Sequence, residues 1–132
     1  MKKCLLGIAF SAIVLSSCAG VEPMDSSTNA QSPKTIQKDL SAQEFKANAS
    51  KGLLLDVRTP EEFSEGHILG AQNLNIYDAN FSTELDKLDK NVLVYVYCRS
   101  GARSINASNM MKEKGFKEVY NLKGGYSSYP FK

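Results

Sequence analysis

The segment Val92-Leu-Val-Tyr-Val-Tyr97 constrains the fold more than any other part of the chain. It carries no charged side chain and is rich in β-branched valine, so it reads as a strand that has to be covered on both faces. A strand of that kind belongs in a parallel sheet with helices packed above and below. Asp89-Lys-Asn91 supplies a turn before it, and Cys98-Arg-Ser-Gly-Ala-Arg103 follows without a spacer, opening a helical stretch that runs to Lys114.

The neighbouring segments fit the same plan. Leu53-Leu-Leu-Asp-Val57, bounded by Gly52 and Pro60, is a second buried strand, and Ala71–Leu74 and Val119–Leu122 are shorter ones. Ser41-Ala-Gln-Glu44 has capping-box spacing and predicts a helix through Phe45, Ala47 and Ala49, stopped by Gly52. Thr59-Pro-Glu-Glu62 repeats the box with proline at the first helical position and Gly66 as the stop. Phe81, Leu85 and Leu88 share one helical face, as do Ser104, Ala107, Ser108 and Met111 before Gly115. Order is expected to begin near Ile36. Strands alternating with helices give the α/β class, with a mainly parallel central sheet flanked by helices on both faces. A chain of 132 residues has room for one such domain.

The N-terminus has a different character. Lys2 and Lys3 precede an apolar run, Leu5 to Leu15, shorter than the roughly 20 residues a membrane-crossing helix needs. Residues 1–17 therefore read as an export signal. Leu15-Ser-Ser-Cys18 resembles the bacterial lipobox, which implies lipidation of Cys18 at a new N-terminus; ordinary cleavage near Ser17 is the competing reading. Acyl chains on Cys18 would anchor the protein stably to a membrane without crossing it, each buried methylene adding about 0.8 kcal/mol. Residues 18–35 then form the lipidated cysteine and a flexible tether poor in large apolar side chains, and residues 36–132 the domain. Ala19 follows Cys18 where some bacteria place an aspartate for inner-membrane retention, so an outer-membrane, periplasm-facing location is favoured.

Cleavage would remove two of the 16 Lys+Arg and none of the 14 Asp+Glu, leaving 14 against 14. No global basic field for nucleic acid remains. It would also remove Cys4 and consume Cys18 as a thioether, leaving Cys98 as the working protein's one thiol. A lone free thiol in an oxidising compartment is a liability unless it is used.

Cys98 lies where a strand passes into a helix, the end of a parallel sheet at which ligands gather. The residues after it are small or polar, and Gly101 permits backbone angles that let several amide N–H groups turn toward one point. Those amides, the helix start, Arg99 and Arg103 favour a thiolate, which is the nucleophilic form, and would also hold an anion. The alternative is an inert structural cysteine after a core strand.

Tyr97-Cys-Arg-Ser-Gly-Ala-Arg-Ser104 resembles the active-site loop of the rhodanese family. Asp56-Val-Arg-Thr-Pro-Glu-Glu-Phe63, Gly66-His-Ile-Leu-Gly-Ala-Gln-Asn73 and Leu122-Lys-Gly-Gly125 are similar to three further signatures of that family, in order, across roughly residues 37–130. The resemblance implies a rhodanese-like single-domain sulfurtransferase with Cys98 as sulfur acceptor. The backbone of Arg99, Ser100, Gly101, Ala102 and Arg103 becomes the cradle for the transferred sulfur and the leaving sulfite. Arg99 and Arg103 would neutralise the anion, although Arg103 could equally hold the loop in shape. Asp56 and Arg58 read as a paired network supporting the loop, and His67 as structural rather than a base. Where the family commonly has tryptophan after the double glycine, Tyr126 or Tyr129 would fill the space.

The resulting expectation is transfer of sulfane sulfur from thiosulfate or a persulfide donor to an external thiol or cyanide acceptor, in a monomer without cofactor or metal. Two other classes compete. Phosphatases and arsenate reductases place five residues between cysteine and arginine in their anion loop, whereas Arg-Ser-Gly-Ala supplies four. A rhodanese-like binding or regulatory module would need no turnover. For localisation, Cys18→Ser is expected to move the protein from the membrane to the soluble fraction of lysed cells; continued sedimentation with membranes would refute the lipid anchor.

Overall fold

The computed structural model describes residues 34–132, so the expected signal segment, Cys18 and most of the tether lie outside the described residues. Five strands form one sheet in the order β1-β5-β4-β2-β3, and every pairing is parallel. The strands are β1 (Ile36–Leu40), β2 (Leu53–Asp56), β3 (Gln72–Asn73), β4 (Leu93–Tyr97) and β5 (Glu118–Leu122). Four helices connect them: α1 (Ala42–Asn48), α2 (Pro60–Ser64), α3 (Phe81–Asp86) and α4 (Ala102–Glu113), with short 3-10 turns at Ala49–Lys51 and Tyr126–Ser128.

The period-two alternation of β2 and β4 builds a separate core on each face of the sheet. Leu55, Val57, Val94 and Val96 pack with Phe81 and Leu85 of α3 and with Ala107 and Met111 of α4. Leu54, Tyr95 and Tyr97 point the other way, onto Phe45 and Ala49. Phe45 meets Tyr95 and Tyr97 edge-on, with ring centroids 5.7 and 6.4 Å apart. The two-sided burial expected from the Val92–Tyr97 run is therefore realised by α3 and α4 on one side and α1 on the other. The chain has the α/β fold with a parallel sheet.

Both capping boxes form. The Ser41 hydroxyl accepts from the Glu44 N–H while the Glu44 carboxylate accepts from the Ser41 N–H, and Thr59 and Glu62 do the same for α2. The difference from expectation is β1, which adds a strand at the sheet edge. Four of its five residues are exposed, so it carries no apolar alternation, and it is held by parallel pairing with β5 from Ile36 opposite Glu118 to Leu40 opposite Leu122. No helix among the described residues is long and apolar enough to cross a membrane.

Phe45 is fully buried and is the ring around which the second core closes. Phe45→Ala is expected to destabilise the domain by about 3–5 kcal/mol, measured by urea unfolding.

Candidate active site

β4 is the middle strand of the sheet, and Cys98 follows its last residue at the carboxyl end. The next turn bends back over the sulfur because Gly101 adopts φ 106°, a left-handed conformation that favours glycine, as the residue preceding α4. The bend brings the Gly101 N–H to 3.1 Å from Cys98 Sγ. Ser104, one turn into α4, sets its hydroxyl 3.5 Å from the same sulfur and 3.0 Å from the Gly101 carbonyl. One hydroxyl proton cannot serve both. Against a thiol it donates to the carbonyl; against a thiolate it turns to the sulfur.

Cys98 is fully buried. Burial pushes its thiol up, but the Ser104 hydroxyl and the N–H groups of Ser104, Gly101 and Ser100 pull it down further, so the net shift is below the ordinary thiol value. This is a buried cysteine with a thiolate cradle rather than an inert one in an apolar shell.

The loop is held from above by the turn after β5. The Tyr126 N–H donates to the Cys98 carbonyl at 2.8 Å and the Ser127 N–H to the Arg99 carbonyl at 2.9 Å. Gly125 permits this approach: a Cβ there would come within 2.5 Å of the Arg99 oxygen and 2.7 Å of the Cys98 oxygen.

Asp56 and Arg58 are both buried and joined through Arg58 Nε and Nη2, the shortest contact being 2.6 Å. Nη2 also donates to the Gly66 carbonyl at 2.7 Å, and the guanidinium lies 4.4 Å from the centre of the Tyr126 ring. The pair thus ties the end of β2 to the segment after α2 and to the turn that grips the loop. His67 lies elsewhere, exposed, stacked on Phe63 at 3.8 Å with Nδ1 2.9 Å from the Phe63 carbonyl. Tyr126 lines the cleft, whereas Tyr129 packs in the core beneath α1.

The two loop arginines part company. Arg99 is exposed at the mouth, with Nη1 4.0 Å from Glu62 Oε1. Arg103 forms a two-pronged pair with Glu62, at 2.7 and 2.8 Å. Hydrogen bonding from Arg103 holds the Glu62 carboxyl down at about 2, and Glu62 in turn raises Arg103. Ser100 and Ala102 are exposed on the loop. A cleft of about 230 Å³ opens beside the loop between Arg58, Glu62, Gly66, Arg99 and Tyr126. No group of three or more metal-binding side chains converges among the described residues.

Residues 41–130 match the rhodanese-like domain family. The chain belongs to that family. An uncharacterized protein of Bacillus subtilis, YqhL, is 40% identical over 94 residues, spanning 71% of this chain and 73% of its own length. The thiosulfate sulfurtransferase GlpE of Shewanella oneidensis is 37% identical over 76 residues, 58% of this chain and 73% of its own. The crystal structure of a rhodanese-related protein from Thermoplasma volcanium superposes with a TM-score of 0.63 at 25% identity, covering 70% of this chain and 89% of the other. The family's fold accounts for the parallel sheet.

Sequence reasoning missed two members of this rhodanese-like site. In the sequence Ser104 only shares a helical face with Ala107, Ser108 and Met111, and its hydroxyl is what faces the sulfur. Glu62 was assigned to the cap of α2, and its carboxylate also engages Arg103 across 41 positions of sequence. Ser104→Ala is expected to raise the Cys98 pKa, because a hydrogen bond to the charged sulfur is lost. The check is the pH dependence of thiolate ultraviolet absorbance, which should shift to higher pH.

Proposed function

We propose that the protein is a sulfurtransferase that carries sulfane sulfur as a persulfide on Cys98. The observation that carries this reading is the sulfur's position at the carboxyl end of β4, 3.1 Å from the Gly101 N–H, in a loop whose hydrogen bonds favour the thiolate. The Cys98 thiolate attacks the outer sulfur of thiosulfate or of a persulfide donor. A sulfur–sulfur bond forms, the bond to the leaving group breaks, and sulfite or a thiolate departs with the electron pair. An external thiolate or cyanide then attacks the outer sulfur of the persulfide and regenerates the Cys98 thiolate. No base is needed at the first step once Cys98 is a thiolate, the form that the hydrogen bonds of the loop favour. Backbone N–H groups of the loop bear the negative charge that moves outward onto the transferred sulfur. The short loop, four residues between Cys98 and Arg103, suits a sulfur atom better than a tetrahedral phosphate or arsenate. GlpE, the relative named as a thiosulfate sulfurtransferase, supports the same chemistry.

The acceptor comes from outside, since Cys98 is the free cysteine of the described residues and, after cleavage and lipidation, the mature chain would hold no resolving thiol. We further propose that the domain works at the bacterial cell envelope, tethered through Cys18. One observation favours a second reading, a binding module without turnover: Cys98 has no exposed surface, so donors must reach it by movement at the loop's mouth.

Incubation with thiosulfate or an organic persulfide, followed by intact-mass measurement, is expected to add one sulfur atom to the protein and none to Cys98→Ala. Absence of the adduct with every donor would favour the binding module.

A further inference from the structure

The charges around the cleft beside Cys98 cancel to one net positive charge, four cations (Arg58, Arg99, Arg103, Lys132) against three carboxylates (Asp56, Glu62, Glu65). Arg58 is matched by Asp56 beneath it. Arg103, the other partly buried guanidinium near the sulfur, spends both terminal nitrogens on Glu62. That carboxylate lines the cleft, and it also stands 4.0 Å from Arg99, the exposed cation at the mouth. Lys132 and Glu65 line the same cleft with opposite signs. A site built to gather a compact dianion gains most by leaving its guanidinium groups open toward the ligand. Here the Arg103 guanidinium is closed off by Glu62, and Arg99 is the loop arginine left open at the mouth.

We propose that Glu62 is a specificity-determining residue that holds the surroundings of the cleft to about one net positive charge and so selects sulfane donors with at most one negative charge, organic persulfides and thiosulfonates, over the thiosulfate dianion. Coulomb repulsion scales with the product of the charges, so a second charge on the donor doubles what it feels from Glu62 and from the Cys98 thiolate. The partly enclosed cleft screens that difference less than open water does. Glu62 can act this way because its position is fixed three times over: by the Thr59 N–H at 3.2 Å and by two bonds from Arg103. The inference rests on the sulfurtransferase reading and names the donor class for it.

A matched pair of donors tests it. Thiosulfate and methanethiosulfonate transfer the same outer sulfur, and the second replaces one anionic oxygen by a methyl group. With thiosulfate, Cys98–S⁻ gains the sulfur and sulfite leaves; with methanethiosulfonate, methanesulfinate leaves, and electrons balance identically. The full-length protein is assayed with each donor, and the ratio of kcat/KM for thiosulfate to that for methanethiosulfonate is read at low and high salt. Glu62→Gln keeps the shape and can still accept from Thr59 and from one Arg103 nitrogen, but it loses the charge. It is expected to raise the ratio about fivefold at low salt, with the gain shrinking as salt is added. Arg103→Gln leaves Glu62 without its partner and is expected to lower the ratio. The double variant should return it toward that of the unaltered protein.

Damage to the loop alone would reduce both donors together and leave the ratio where it was, and that outcome overturns the proposal. If Glu62→Gln does not fold, Arg103→Gln carries the test, and an unmoved ratio there overturns it equally. Failure of both donors to load Cys98 in the unaltered protein would instead overturn the sulfurtransferase reading, and this inference with it.

Discussion

The buried pair of Asp56 and Arg58 is the interaction on which the working end of the domain depends. Two charges taken out of water are costly unless each finds its full set of partners. Asp56 receives Arg58 through both carboxylate oxygens and also accepts from the Arg58 backbone N–H at 3.0 Å. The guanidinium then has donors left over, and it places one on the Gly66 carbonyl and its face under Tyr126. The Asn73 side chain closes the same junction by donating to the carbonyls of Asp56 and Arg58. The ends of β2 and β3, the segment after α2 and the closing turn are therefore fastened at one point. Removing either charge would strand the other in the interior, which typically costs 3–5 kcal/mol.

Cys98 inherits its setting from that junction. Tyr126, seated on Arg58, is also the residue whose N–H holds the Cys98 carbonyl. The loop beneath contributes its own geometry through Gly101, and α4 contributes Ser104. Burial alone would make Cys98 a poor nucleophile, and the surrounding donors reverse that. The chemistry is thus a contest between desolvation and hydrogen bonding within a few ångströms of one sulfur atom.

What could be read from the sequence was local. The capping boxes at Ser41 and Thr59 and the proline at the start of α2 are decided within four residues, and they form where the spacing places them. The strand before Cys98 was legible because burial on both faces leaves a continuous apolar run. β1 was not, because an exposed edge strand is held by backbone pairing with a partner some 80 positions away and leaves no pattern in its side chains. The pairing of Glu62 with Arg103 was hidden for a related reason. Each residue had a sufficient local role, one as a cap and one as a loop arginine, and only the fold brings them together. The hydroxyl of Ser104 was masked by its own burial, since a small side chain on the inner face of a helix reads as packing.

The closing turn separates two kinds of information. Its grip on the loop runs through the N–H groups of Tyr126 and Ser127 and through the missing side chain of Gly125, none of which depends on which side chains follow. Ser127 and Lys132, by contrast, line the cleft, and among the described residues no side-chain contact of theirs holds the loop. A scaffold arranged in this way can be re-lined without being re-hung. Substitutions at Ser127 and Lys132 would change what the cleft presents while Tyr126 keeps its seat on Arg58 and Cys98 stays in place, which makes these two positions the natural target for a combinatorial library.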